Sequence, residues 1–199
     1  MQLSVKAVSF GFRDQPLLFD DVSFTLRPGE LTALVGPSGS GKSTLLSLLA
    51  GQISPVSGER RVEGITRIGW ILQNPVGSPR RTAIDHVVFP LLLRGITRRS
   101  AEPMARELLD RFLLTDVADR PFRKLSGGEA QRLAFARATA AGFDALLIDE
   151  PTAQLDPRTA QTIREVIRGL ISPERLVLVA THDPQLRDEC DHVVDLGLR

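Results

Sequence analysis

Three short stretches of this chain, at residues 31–35, 145–148 and 176–180, are apolar at every position except Thr32. Strands buried on both faces of a parallel sheet have this pattern, because helices cover both sides of such a sheet. Glycines or polar residues follow each run directly, and the carboxyl ends of the strands are where open α/β sheets bind their ligands. The pattern predicts an α/β fold with a candidate site at those ends.

Two stretches near the amino terminus, residues 3–8 and 22–26, alternate apolar and polar residues. Such alternation predicts half-buried strands. Residues 60–62 and 67–72 are also strand-like, and Gly64 between them predicts that they form a hairpin. These stretches indicate a small antiparallel unit beside the parallel sheet.

The segment 82–141 has helical periodicity. We expect Pro90 to interrupt its first helix, Gly95 to end that pattern and Ser100 to cap the next helix. The apolar stripe of this next helix recurs every four residues, at Met104, Leu108 and Phe112. A helical block between two α/β stretches indicates an inserted subdomain.

Composition excludes several classes of protein. With 199 residues and 42% hydrophobic content, the chain can bury one substantial core. Its formal net charge of +1 gives no global field that would attract nucleic acid or an anionic membrane. No apolar run approaches the about 20 residues that a membrane span needs, and no signal peptide is evident, so we expect a soluble, intracellular chain. The single cysteine, Cys190, lies between two acids and is expected to be inert.

The first apolar run leads into a glycine-rich turn and then into an apolar helix that ends at Gly51. This is the context of a phosphate-binding loop, in which successive N–H groups converge on an anion at the positive end of the helix. Lys42 would add a charge for the β- and γ-phosphates, and the Ser43 hydroxyl would hold Mg²⁺. The alternative is a glycine-rich turn without a ligand. The loop residues expected to contact nucleotide are Gly36, Pro37, Ser38, Gly39, Ser40, Gly41, Lys42, Ser43 and Thr44.

Three polar side chains at the ends of the other two runs would complete a hydrolytic site. Asp149 is suited to orient Mg²⁺ through water, and Glu150 to act as general base on the attacking water. His182 could donate a hydrogen bond to a terminal phosphate. Adjacent acids after a strand are otherwise commonly solvated. His86 and His192 have no comparable position, and we expect both to be structural.

Two further residues have two interpretations each. Gln73, at the end of a strand-like stretch, could hold a metal-bound water, or it could be a surface glutamine. Phe12 could stack on adenine, or it could lie at the edge of the core, since aromatic side chains bury large areas in any case.

Residues 125–129, Leu-Ser-Gly-Gly-Glu, begin a second notable helix. Ser126 and Glu129 alone would form a capping box. Gly127 and Gly128 each cost about 1 kcal/mol of helix propensity, so they need another reason. Glycines remove side chains from a positive helix end and, beside a hydroxyl, create a second phosphate-binding surface.

The segment after Glu150 predicts one more helix. Asp156 is expected to cap it and Pro157 to occupy its first position. Its expected buried stripe is Ile163, Val166, Ile167 and Leu170.

Taken in order, these motifs resemble those of the nucleotide-binding domain of ATP-binding cassette (ABC) ATPases over nearly the whole chain. Residues 36–44 match the Walker A motif, 125–129 the family signature and 145–150 Walker B. The signature is the most specific match, because many other NTPases share only the phosphate loop. The remaining matches are Gln73 to the Q-loop, Leu155 and Asp156 to the D-loop, and His182 to the switch histidine.

The resemblance implies a P-loop NTPase (RecA-like) α/β core with a small antiparallel β-subdomain, at 1–75 and 142–199, and a helical subdomain at 76–141. It implies ATP and Mg²⁺ as cofactors, with Asp156 at the nucleotide and both Gln73 and Ser43 at the metal. It also implies a head-to-tail homodimer, in which ATP at Lys42 is covered by Ser126, Gly127, Gly128 and Glu129 of a second copy. A transmembrane permease subunit would hold the chain at the cytoplasmic face of the cell membrane, with no nucleic-acid partner.

Three features depart from the family pattern. Phe12 stands where tyrosine is usual, and Ala153-Gln154 stand where Ser-Ala is usual. Gln73 follows Lys42 by 31 positions, a short interval that predicts a trimmed β-subdomain. None of these departures removes a catalytic group.

Within the family, residues 85–95 are similar to ATPases of lipoprotein release, macrolide export and a cell-division complex. We therefore predict an ATPase subunit that powers a transporter. An alternative is a mechanical switch on a membrane partner, as in the cell-division relative. A DNA-maintenance or ribosome-binding ATPase is disfavoured by the near-neutral charge, the lack of a coiled-coil insertion and the single cassette.

Overall fold

A computed structural model of the chain describes residues 1–153 and 155–197. Within them, eight strands form two sheets, and six α-helices pack around the sheets. The strands are β1 (Gln2–Gly11), β2 (Leu17–Leu26), β3 (Leu31–Val35), β4 (Ser57–Glu63), β5 (Ile68–Ile71), β6 (Ala145–Asp149), β7 (Leu176–Ala180) and β8 (His192–Asp195). The helices are α1 (Lys42–Leu49), α2 (Ala83–Leu93), α3 (Arg98–Arg111), α4 (Gly127–Ala141), α5 (Pro157–Arg168) and α6 (Pro184–Asp188).

The larger sheet is parallel, with strand order β5-β6-β7-β3-β8, and this confirms the predicted α/β fold. The three apolar runs form its central strands β3, β6 and β7. Successive residues of a strand face opposite sides of a sheet, so Leu146 and Ile148 pack in the core with the helical segment, and Leu147 packs in the core with α1. The carboxyl ends of the three strands consequently lie side by side.

The predicted hairpin between residues 60–62 and 67–72 is wrong. β4 pairs antiparallel with β1 and completes the small sheet β2-β1-β4, whereas β5 pairs in parallel with β6 at the edge of the large sheet. Burial explains the separation. Trp70 and Ile71 of β5 lie opposite Leu147 and Ile148 of the buried strand β6, while β4 is largely charged and suits an exposed edge.

Pro90 does not interrupt the first helix of the helical segment, because α2 runs through it to Leu93. The buried side chains of Val87, Val88 and Leu91 flank the proline, and their burial offsets the missing hydrogen bond. The chain turns at Gly95, whose φ of 83° is in the left-handed region, as the sequence predicted.

The start and the buried face of α3 also differ from the prediction. The N-cap position is Thr97 and not Ser100, which lies inside the helix. Met104 is exposed and Leu108 only partly buried, although Phe112 is buried. The buried face is instead Ala101, Ala105 and Leu109. Small alanine side chains allow α3 to approach its neighbouring helices closely, which the spacing of the larger residues did not reveal.

The cap of α5 matches its prediction. Asp156 accepts hydrogen bonds from the N–H groups of Arg158 and Thr159, and Pro157 is the first helical residue. In the predicted stripe, Ile163, Ile167 and Leu170 are fully buried and Val166 is partly buried.

Cys190 is half-buried, and burial, with the charges of Asp191 and Glu189, raises the pKa of its thiol to about 12. The thiol therefore stays protonated at neutral pH, in agreement with the expectation that it is inert. Among the described residues, no helix combines the length and apolar character that a membrane crossing requires.

Candidate functional site

An open cleft of about 700 Å³ lies at the carboxyl ends of β3 and β6. It gathers side chains that are far apart in the sequence but were all predicted to act together, with the exception of Leu18. The lining residues are Leu18, Ser38, Gly39, Gly41, Lys42, Ser43, Thr44, Gln73, Glu150 and His182. The sheet therefore brings together the phosphate loop, the candidate base Glu150, Gln73 as the candidate holder of a metal-bound water, and His182 as the candidate contact of the terminal phosphate.

The loop between β3 and α1 has the backbone that an anion cradle requires. Gly39 and Gly41 have φ values of 82° and 93°, which other residues adopt only with strain. Any side chain at position 41 would also lie 2.8 Å from the Leu18 side chain. Because Gly41 offers no side-chain cap to α1, the first N–H groups of this helix remain available to a phosphate.

Lys42 places its charge over this loop. Its Nζ atom donates hydrogen bonds to the carbonyl oxygens of Gly36 (3.0 Å) and Pro37 (3.4 Å), and it lies 3.5 Å from Oε1 of Glu150. All three of these oxygens are hydrogen-bond acceptors, as phosphate oxygens are. The position fits the predicted contact with the β- and γ-phosphates.

Asp149 is buried at the end of β6, close enough to Ser43 for a hydrogen bond between their side chains. Burial raises the pKa of Asp149 and the charge of Glu150 adds to the rise, although the Ser43 hydroxyl and Lys42 act against it. Its Oδ1 atom has no hydrogen-bond partner among the described residues. A cation at this point would compensate the burial of the carboxylate, and hydroxyl and carboxylate oxygens are ligands that Mg²⁺ prefers.

The described residues contain no cluster of three or more His, Cys, Asp or Glu side chains that could enclose a metal ion. Mg²⁺ does not require one, because proteins commonly hold it with one or two carboxylates, substrate phosphates and water. The pair Ser43 and Asp149 therefore fits Mg²⁺ that arrives together with a nucleotide.

Glu150 and His182 form a pair in the lining of the cleft. Oε2 of Glu150 lies 2.6 Å from Nδ1 of His182 and accepts a hydrogen bond from its backbone N–H at 3.2 Å. The backbone N–H of Glu150 donates to Ala180 at the end of β7. Glu150 has a φ of 44°, an unfavourable conformation for a residue with a side chain, and such strain is concentrated at functional sites. Two strand ends thus fix a carboxylate over the cleft.

Gln73 lines the cleft two residues after β5, which ends at Ile71.

Phe12 does not line the cleft. Its side chain is 54% exposed and packs edge-on against Phe10, with 5.4 Å between ring centroids. This exposure disfavours the core-edge interpretation, and adenine stacking stays a prediction. Leu18, which the sequence analysis missed, gave no signal because it is one apolar residue of an amphipathic strand.

The signature residues lie outside this cleft, at the start of α4. Ser126 accepts a hydrogen bond from the Glu129 N–H, and the Glu129 carboxylate accepts one from the Ser126 N–H at 2.6 Å, so the predicted capping box is present. Burial raises the pKa of Glu129, but the bonds from Ser126 and the charges of Arg120 and Arg132 outweigh it and leave that pKa below its ordinary value. The carboxylate is therefore ionised and orders the exposed helix start.

The two signature glycines differ in what surrounds them. A Cβ atom on Gly128 would lie 2.6 Å from Cγ2 of Thr159 in α5, so packing within the chain accounts for this glycine. A Cβ atom on Gly127 would meet no atom of the described residues within 4 Å. Nothing in the described part of the chain explains Gly127, whereas a ligand approaching the helix end from outside would.

Arg164 connects α5 to Asp183, the residue after His182, and was also missed from the sequence. Its buried guanidinium group bonds Asp183 at 3.0 Å, and Asp183 caps α6 directly after His182. Burial raises the pKa of Asp183, but hydrogen bonds from Gln185, Leu186, the side chain of Thr152 and Arg164 lower it below its ordinary value.

The departure from the family pattern at Ala153-Gln154 is described only in part. Ala153 follows Thr152, and Gln154 lies outside the described residues.

A second concavity, of about 830 Å³, is called the apolar groove below. It runs between β5, residues 75–81, α2 and α4, and Val76 and Phe89 expose much of their side chains there. Arg81 lies 5.9 Å from the centre of the Phe89 ring. Leu72 and Pro75, on either side of Gln73, line the groove, so one segment borders both concavities.

Comparison with known proteins agrees with the geometry. The family model for the ABC transporter matches residues 19–153. The lipoprotein-releasing system ATP-binding protein LolD 1 of Rhodospirillum rubrum is 38% identical over 187 residues, which cover 86% of this chain and 83% of that protein. The macrolide export ATP-binding/permease protein MacB of Salmonella typhi is 34% identical over 92% of this chain but only 31% of its own length.

Solved structures show the same fold. A dimeric ATP-binding cassette in a post-hydrolysis state with ADP and Pi superposes with a TM-score of 0.86 and 27% identity, over 98% of this chain and 94% of that one. An inward-facing metal-chelate type ABC transporter gives a TM-score of 0.84 and 30% identity, over 98% and 79% of the two chains. The chain therefore belongs to the ABC transporter family, as an ATP-binding and ATP-hydrolysing subunit that powers transport.

Proposed function

We propose that two copies of this chain enclose two ATP molecules head to tail, each between the phosphate loop of one copy and residues 126–129 of the other. The observation that carries this proposal is the open space at Gly127. The helix start at Ser126 has open space around it and lies outside the chain's own cleft. The cleft contains a phosphate-binding loop, but no described residue closes it from the solvent side. Two half-sites of this kind become complete when two copies face each other.

Within each half-site, we assign the roles as follows. The loop N–H groups and Lys42 bind the phosphates, Ser43 and Asp149 would hold Mg²⁺, and Gln73 would hold a water of that ion. Mg²⁺, when bound, supplies neutralising charge at the β- and γ-phosphate oxygens. Glu150 accepts a proton from the attacking water, and His182 donates a hydrogen bond to the terminal phosphate. Phe12 stacks on adenine, and Asp156 approaches the nucleotide from the second copy.

We further propose a transmembrane permease as the partner of the apolar groove. The LolD relative is named as the ATP-binding protein of a releasing system, and MacB joins an ATP-binding part and a permease in one protein. Through such a partner the chain would be bound peripherally at the cytoplasmic face of the membrane. Residues 1–75 and 142–199 would act as the core and 76–141 as a helical arm beside the groove. A near-neutral charge supports the absence of a nucleic-acid partner.

The alternative function, a mechanical switch of the cell-division type, would use the same ATP-driven dimer as a transporter. Transport by the reconstituted complex of this chain and its permease would separate them. Net movement of a cargo across the bilayer supports a transporter, and ATP-dependent association without movement supports a switch.

If the active unit is a dimer, the rate of ATP hydrolysis per chain should rise with chain concentration. Phosphate release measured over a dilution series in ATP and Mg²⁺ should show this rise, and light scattering should show dimers at the higher concentrations. The physical reason is mass action between half-sites that are incomplete alone. Constant activity per chain, together with a monomeric mass throughout, would overturn the proposal.

The groove assignment predicts that Phe89→Asp weakens binding to the permease about tenfold or more and leaves the basal ATPase rate unchanged. Phe89 is 51% exposed at the groove, so the substitution buries a charge in the interface and not in the folded chain. Leu113→Asp is the matched control, since Leu113 is 66% exposed and does not line the groove. Affinity for detergent-solubilised permease is the measurement, and equal retention of both variants would contradict the assignment.

A further inference from the structure

His86 lies in the first turn of α2 and is only 8% exposed, and both nitrogens of its ring are engaged. Nδ1 lies 2.7 Å from the carbonyl oxygen of Thr82, and Nε2 accepts a hydrogen bond from the backbone N–H of Ser78 at 2.9 Å. A carbonyl oxygen can only accept, and a backbone N–H can only donate. The ring is therefore neutral, with its proton on Nδ1.

The segment that His86 holds runs from the nucleotide cleft to the apolar groove. Gln73 lines the cleft, and residues 75–78 line the groove. Arg137 of α4 donates a hydrogen bond to the Val76 carbonyl. Gly77 lies against the ring of Phe122, where a Cβ atom would be 2.6 Å from Cδ2. The segment is thus fastened at three consecutive residues, and His86 supplies the fastening at Ser78.

The same ring also contacts the turn that leads into the signature. The His86 and Phe122 rings have centroids 5.3 Å apart and are tilted by 35°. The Phe122 carbonyl accepts a hydrogen bond from the N–H of Leu125, the residue before Ser126. One imidazole therefore touches both the segment that begins at Gln73 and the turn that ends at Ser126.

We propose that neutral His86 is a positioning residue of the ATPase cycle. Its Nε2 atom accepts the Ser78 N–H while its ring packs on Phe122, so residues 73–78 keep one position relative to the turn before Ser126. The placement of Gln73 in one nucleotide site is thereby coupled to the placement of Ser126 over the other. Protonation of the ring removes the contribution of His86 to this coupling, because Nε2 then carries a hydrogen and cannot accept from Ser78. The backbone hydrogen bonds from the Phe122 N–H to Arg81 and from the Arg123 N–H to Pro79 do not involve the ring and remain. The inference rests on the dimer proposed above.

The groups facing His86 determine the direction of its pH dependence. Burial lowers the pKa of His86, and the nearby charges of Arg137 and Arg81 lower it further, while the hydrogen bond to Thr82 and the charge of Asp85 raise it. The net shift is downward, so the neutral ring is favoured in the folded chain. The contribution of His86 to the coupling is present above the ordinary pKa of histidine and is lost as pH falls through the lowered pKa.

Two substitutions separate positioning from simple packing. In His86→Gln, the amide oxygen can take the place of Nε2 as acceptor and does not titrate. This variant should keep the kcat of the wild type at pH 7.5 and lose the decline at acidic pH. His86→Leu removes the acceptor and leaves the Ser78 N–H unpaired, so kcat should fall about tenfold while the affinity for ATP is unchanged.

The unsubstituted chain provides a measurement that needs no variant. The ¹⁵N chemical shift of His86 Nε2 reports the protonation of the ring. The Ser78 amide should exchange slowly with deuterium at neutral pH, and its exchange rate relative to the intrinsic rate of an unprotected amide should rise as His86 protonates. Wild-type activity in the leucine variant, an unchanged acidic decline in the glutamine variant, or Ser78 exchange independent of the His86 titration would each overturn the inference. Failure of the dimer proposal would appear differently, as a wild type that stays monomeric with ATP.

Discussion

Replacement of Glu150 with glutamine is expected to lower the rate of ATP hydrolysis by about 10²–10⁴-fold, the usual contribution of a general base, while ATP still binds. Glutamine has nearly the same shape but cannot accept the proton of the attacking water at neutral pH. Oε1 of Glu150 lies 3.5 Å from Lys42, so removal of the carboxylate charge leaves the lysine free to bind phosphate. Phosphate release and nucleotide titration measure the two effects separately.

The same variant should accumulate as an ATP-loaded dimer, because closure no longer ends in hydrolysis. Light scattering in ATP and Mg²⁺ should show twice the monomer mass. Glu165→Gln is the control, since Glu165 is an exposed glutamate on α5 that does not line the cleft, and it should hydrolyse at the wild-type rate. A hydrolysis rate of Glu150→Gln within threefold of the wild type would show that another residue is the general base. An ATP-loaded variant that stays monomeric at high concentration would contradict ATP-driven dimerisation.

Local patterns predicted the parts of the fold that depend on local physics. The runs at β3, β6 and β7 are apolar at nearly every position because both faces of these strands are buried. The loop at residues 36–44 needs glycine at Gly39 and Gly41, where φ is positive. Parallel strands place their carboxyl ends together, so the meeting of Lys42, Glu150 and His182 followed from three separate strand ends.

Partners far apart in the chain could not be predicted in this way. The strand at residues 68–71 pairs with β6, more than seventy residues later. The free energy gained by burying Trp70 and Ile71 outweighs the lower entropy cost of closing a short hairpin loop. The contacts of Arg164 with Asp183 and of Arg137 with Val76 join distant elements and leave no periodic signal in the sequence. His86 was expected to be structural for the same reason, since its bond to Ser78 depends on how the loop folds back.

The helix start at Gly127 allows a test of closure that leaves the folded chain intact. Gly127→Asp should abolish ATP-dependent dimerisation and lower hydrolysis about 100-fold or more, as loss of a charge-stabilising contact in the transition state typically does. Binding of ATP to the chain's own cleft should not change. The new side chain has open space around it, and an acid in the first turn of a helix is favourable by about 0.3–1 kcal/mol, so thermal stability should not fall.

Ser100→Asp, an acid added to the exposed first turn of α3, is the matched control for charge and helix position, and it should keep wild-type activity. A mixture of Gly127→Asp with Lys42→Ala gives the decisive comparison. Each variant alone lacks one half of both sites, but a mixed dimer has one intact site, formed by Lys42 of the first chain and Gly127 of the second. Hydrolysis that reappears only in the mixture requires the two half-sites to come from different chains. Full activity of Gly127→Asp alone would show that the bare helix end has no part in the reaction, and Gly127 would then need another explanation.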